Sequence, residues 1–304
     1  MFVANESIKE TRKVIRDRNP ILFTLSLFFI MNLVPILIGF TLGFLKNLLG
    51  KVSKLSYFPT LSFESDSFII INLLSTALVS IAIYFFVKKF QNRNPKSLGL
   101  VEVNKLKSYA LGIVIGGSLL ILSFFLSFLL GGFKLRLSIR NTSPFLFLLF
   151  IIGWICQGFE EELITRSVLM NYFAAIKDVK TGFIANSLLF AILHIGNTSF
   201  SIIAFVNLLL MGLLFSMVFY ISDNIYTPAA CHSTWNFLQG NFFGISVSGI
   251  VNTKNTIFIS EPLGNKLISG GGFGIEASLI VTFVELVGLG ILYKRAEKKN
   301  LIKN

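Results

Sequence analysis

The stretch Gln157-Gly158-Phe159-Glu160-Glu161-Glu162-Leu163-Ile164-Thr165-Arg166 sets three carboxyl groups and a guanidinium inside a long apolar run. A charge at the centre of a membrane-spanning helix costs roughly 2.5–3.5 kcal/mol on insertion scales, so these side chains need partners or a water-filled cavity to face. On a helix each residue turns by about 100°, which puts Glu162 and Arg166, four apart, on one face where they can pair. Glu161 points about 100° away from Glu162 and is free to face something else, while Glu160 lies a further step round and has no assigned role. The competing reading is a solvated charge run at a helix end.

Composition decides the surroundings. Of the 304 residues 54% are apolar, 33 are Phe and only 14% are charged, which describes one integral membrane domain rather than two soluble ones. The net charge of +12 does not point to nucleic acid, because the basic residues sit in short clusters between apolar runs. Such clusters report orientation and can hold anionic lipid head groups. Cys156 and Cys231 lie in apolar segments with no spaced cluster, so they read as small buried residues. The basic start leads into an apolar run too long for a signal-peptide core, so the first hydrophobic segment is expected to stay in the protein.

Outward from the acidic stretch, the pattern predicts an all-α polytopic bundle of about eight transmembrane helices. The spans are Ile21–Leu45, Phe68–Val87, Ser108–Leu130, a fourth from Phe145 into the acidic stretch, Thr181–Ile195, Ser199–Ile221, Ile225–Phe243 and Ile275–Tyr293. Residues 1–20 form a basic arm, 145–240 the motif core and 294–304 a basic tail. With the N-terminus inside, 18 of the 27 Lys and Arg fall on the inner side and 8 on the outer, leaving Arg166 within the membrane. The bias places both termini in the cytoplasm.

The chain has two histidines, His194 and His232, and both fall in these apolar segments. A lone histidine there reads as packing; two beside an intramembrane acid read as a site. Phe190 and His194, and likewise His232 and Asn236, are four apart and share a helix face. Measured from the polar turn 177–180, Glu161 and His194 lie about 21–24 Å up their helices, whereas His232 lies only about 10 Å past Ile225. Its helix must start deeper or tilt.

A buried carboxylate and imidazole can take a proton from water, and a second imidazole with an amide can hold the oxyanion formed when that water attacks a carbonyl. Two histidines and a glutamate also make a zinc set, although the His-Glu-x-x-His spacing is absent. No serine or thiol nucleophile arrangement is evident.

Glu161-Glu162-x-x-x-Arg166, Phe190-x-x-x-His194 and His232-x-x-x-Asn236, in that order on successive apolar segments, resemble the CPBP family of intramembrane peptidases. That family contains the type II CAAX prenyl endopeptidases and the bacteriocin-processing and immunity proteins. Ser97-Leu98-Gly99-Leu100 and the Ser269–Gly274 run are similar to its flanks. The resemblance implies a bundle with a conical intramembrane cavity, water activation by Glu161 and His194, and an oxyanion site of His232 and Asn236. Glu162 with Arg166 would brace the site, and Phe190 would pack beside His194. It further implies a membrane-associated or lipidated peptide as substrate and, if a metal takes part, zinc on Glu161, His194 and His232. The Lys-, Asn-, Ile- and Phe-heavy usage points to a bacterial cytoplasmic membrane. The alternatives are a non-catalytic immunity or regulatory protein acting through helix contacts, and a proton-coupled transporter, which the lack of paired broken helices disfavours.

Overall fold

Backbone polar groups in hydrocarbon must be satisfied within the segment, and the chain answers with helices. The computed structural model describes residues 1–16, 19–52, 65–139, 142–250 and 253–303. In order they form α1 (Glu6–Val14), α2 (Pro20–Val52), α3 (Asp66–Gln91), α4 (Lys105–Leu129), β1 (Phe133–Leu137), α5 (Pro144–Glu162), α6 (Asn171–Ile176), α7 (Val179–Leu193), α8 (Ile202–Ser222), α9 (Tyr226–Phe237), β2 (Phe258–Pro262), the single turn α10 (Lys266–Ser269) and α11 (Leu279–Lys298). The basic residues Arg18, Lys54 and Arg140 lie outside the described residues.

Local chemistry sets the starts. Asn104, Ser143, Asp178, Ser201 and Ser278 each cap a helix by accepting a backbone N–H two or three residues into its first turn. Pro144 occupies the first turn of α5, where its missing N–H costs nothing. At the cap of α7 the Thr181 N–H holds the Asp178 carboxyl below its usual range.

The all-α membrane bundle stands, and each of the eight expected spans contains a helix. Among the described residues five helices are long and apolar enough to span: Pro20–Thr41, Asp66–Gln91, Lys105–Leu129, Pro144–Ile176 and Ile202–Ser222. The other three expected spans fall short for separate reasons. α7 has 15 residues, about 22 Å, because the chain turns at His194. α9 has 12 and continues only as wider turns over Leu238–Phe242. α11 starts at Leu279 rather than Ile275 and carries Glu285 and a charged last turn. A further addition is a two-stranded antiparallel sheet that pairs Leu135 with Ser260, inside stretches expected to be loops.

Two features position the site. α9 is gripped closely: a Cβ on Gly112 or Gly116 of α4 would lie 2.2 Å from the Thr227 carbonyl oxygen or 2.1 Å from that of Cys231, and one on Gly158 of α5 would lie 2.3 Å from Ser233 Oγ. Small residues let these backbones meet. The start of α9 is also sunk below the bundle end. Ile225 is fully buried and donates its N–H to the Gly99 carbonyl, while Asp223 accepts the N–H groups of Glu6 and Ser7. The basic arm thus carries α1, which packs over this turn. The two termini meet at the same end, where Tyr220 donates its hydroxyl hydrogen toward the Val3 and Leu301 carbonyls.

Candidate active site

The acidic stretch closes α5, and the helix then widens to i→i+5 turns over Leu163–Met170. Such wide turns collect at functional sites. A second set follows directly after Asn236 and Phe237 on α9. Between these elements lies a cavity of about 390 Å³ whose wall includes Gln157, Glu161, Phe190, His194, His232 and Asn236. The structure therefore brings the four residues expected to do chemistry to one cavity.

Glu162 and Arg166 sit behind the wall, both without exposure, and pair at 3.0 Å. The same oxygen, Glu162 Oε1, accepts from Nδ1 of His232 at 2.9 Å. Arg166 is further fixed by Thr165 Oγ1 at 2.6 Å and lies over the rings of Phe190 and Phe215, at 4.7 and 5.5 Å. The carboxylate in this contact only accepts, so Nδ1 of His232 carries the hydrogen and Nε2 is left for the cavity. Nε2 faces Glu161 Oε2 at 3.7 Å, a gap too long for a direct hydrogen bond.

Glu161 also accepts from the Gln157 amide, and Gln157 accepts from Asn236 Nδ2 at 2.9 Å. Gln157 therefore links the candidate base to the candidate oxyanion donor. This role escaped the sequence reading, because an amide inside an apolar run carries little of the insertion penalty that marks a charge.

His194 is placed differently from expectation. It is the C-cap of α7 rather than a residue within a span, with Nδ1 on the Phe190 carbonyl at 2.8 Å and its ring 4.9 Å from that of Phe190. A carbonyl only accepts, so Nε2 is again the free nitrogen. The imidazole within ion-pair distance of Glu161 is that of His232; His194 shares the cavity wall with Glu161 and Glu276.

Glu276 and Glu285, both buried and both on the cavity wall, were passed over in the sequence. Each is an acid inside the expected span Ile275–Tyr293, and that was the available signal. Glu160 is buried and does not reach the cavity wall. Among the described residues no three His, Cys, Asp or Glu side chains gather as a metal-holding group. No step below is routed through a metal.

Residues 143–238, about a third of the chain, match the family model for type II CAAX prenyl endopeptidase Rce1-like proteins. Among curated proteins none matches the chain. The matched segment opens at the N-cap of α5 and ends one residue beyond α9, so it encloses all of the motif residues, and it supports the resemblance to the CPBP family of intramembrane peptidases that those residues carry.

Proposed function

We propose that the protein is an endopeptidase that hydrolyses a peptide bond of a membrane-associated or lipidated peptide inside this cavity. Water placed in the gap before Glu161 loses a proton to that carboxylate, and Nε2 of His194, on the wall of the same cavity, assists. The attacked carbonyl oxygen takes hydrogen bonds from the second N–H of Asn236 and, with His232 carrying a hydrogen on both ring nitrogens, from its Nε2–H. Glu162 and Arg166 keep the His232 ring in register through Nδ1. The hydroxide adds to the carbonyl carbon, the C–N bond breaks, and the proton held by Glu161 passes to the leaving amine, so atoms balance without a covalent enzyme intermediate.

The observation that carries this reading is the convergence of Glu161, His194, His232 and Asn236 on one cavity within an apolar bundle. A site so placed selects substrates that partition into hydrocarbon. We place the protein in a bacterial cytoplasmic membrane with both termini cytoplasmic. The test is incubation of membrane-partitioning peptides with wild type and Glu161→Gln in vesicles; the reading requires new peptide termini with wild type alone, and fails if Glu161→Gln generates the same termini at the same rate.

A further inference from the structure

The wall of the cavity carries two further carboxyl groups, Glu276 and Glu285. There Glu276 is fully engaged: Oε2 accepts from Gln239 Nε2 at 3.0 Å and from the Ser248 N–H at 2.6 Å, and Oε1 accepts from Ser248 Oγ at 3.1 Å. Glu285 is the opposite case. It is 1% exposed, it lines the cavity, and neither carboxyl oxygen has a hydrogen-bond partner among the described residues. Glu276 lines the same cavity.

A buried carboxyl with nothing to bind is costly, and in a membrane bundle such a group marks a binding or transport path. The sign of the surroundings narrows what completes it. The chain as a whole carries a net charge of +12, yet among the described residues the cavity wall holds three glutamates and no lysine or arginine. The missing group supplies hydrogen-bond donors and positive charge and arrives through the cavity.

We infer that Glu285, on the same cavity wall as Glu276, is a subsite for a cationic side chain of the substrate peptide, a primary ammonium or a guanidinium. The inference rests on the peptidase reading for the identity of its ligand and not for the site itself. A basic residue docked there fixes the register of the peptide against Glu161, so an otherwise apolar segment is cut at a set place.

Both tryptophans of the chain, Trp154 and Trp235, line the cavity, so their fluorescence reports occupancy. The experiment uses the full-length protein carrying Glu161→Ala to prevent turnover. The probes are apolar peptides with one lysine moved through each position, compared with the same peptides carrying norleucine, which keeps the stem and removes the ammonium. At one or a few positions lysine binds about tenfold or more tightly than norleucine. Adding Glu285→Gln abolishes that preference and leaves norleucine affinity unchanged, whereas Glu285→Asp retains part of it. Equal binding of lysine and norleucine at every position, or a preference untouched by Glu285→Gln, overturns the subsite. A lysine preference in a protein whose wild type cleaves none of the peptides keeps the subsite and defeats the peptidase reading instead.

Discussion

Glu162 and His232, seventy residues apart, meet at 2.9 Å through the carboxyl oxygen that also holds Arg166. One oxygen thus fixes both the ring of a candidate oxyanion donor and a guanidinium buried without exposure. Removing it strands a charge. Glu162→Ala is expected to destabilise the protein by about 3–5 kcal/mol, while joint replacement of Glu162 and Arg166 by apolar residues of similar volume recovers most of the loss. Unfolding of the two single variants and the double variant in detergent checks this as a cycle.

In the proposed step Asn236 touches the chemistry through an amide hydrogen. Asn236→Ala should lower turnover by roughly 10²–10³ with little change in KM, since an oxyanion contact strengthens only in the transition state. Steady-state kinetics on a peptide cleaved by the wild type measures the split, and a change confined to KM contradicts the assigned role.

Gly116 sets where α9 stands. Its missing Cβ leaves room for the Cys231 carbonyl, next to His232 in the chain. Gly116→Ala must push the helix away, and is expected to cost about 1–3 kcal/mol or more and to cut turnover by up to about 10²-fold through misplacement of His232. Gly290→Ala, where nothing lies within 4 Å of the new methyl, should instead be neutral or gain up to about 1 kcal/mol. Thermal unfolding and activity of the pair separate helix propensity from helix position.

The derived step uses no metal, and among the described residues no three His, Cys, Asp or Glu side chains gather as a metal-holding group. Exhaustive chelation followed by metal analysis should therefore leave the cleavage rate unchanged. Loss of activity on stripping, restored by zinc, would show that Glu161, His194 and His232 rearrange around an ion.

Helix phase alone was enough to separate Glu162 and Arg166 from Glu161, because the pair sits four residues apart and i,i+4 neighbours meet even where the turns widen. The height of His232 was not legible. It depends on α1 packing over the 222–226 turn, a contact between segments more than two hundred residues apart. Gln157 stayed hidden because amides carry no charge signal, and Glu276 and Glu285 because each stands singly in an otherwise apolar span. The strand Phe133-Lys134-Leu135-Arg136-Leu137 does alternate with period two, but its partner lies beyond α9 and the short pattern alone does not name it. The end of α7 at His194 depends on a turn, Gly196–Ser199, that follows it without a proline or a charge to mark the stop.

Cleavage that depends on Glu161 is the centre of the account. Peptides accumulating in cells that express wild type and in cells that express Glu161→Ala at equal membrane levels, compared by mass spectrometry, test it most directly. The account predicts a membrane-associated precursor that persists intact with Glu161→Ala and appears as two fragments with wild type. Identical peptide profiles from the two proteins would contradict it.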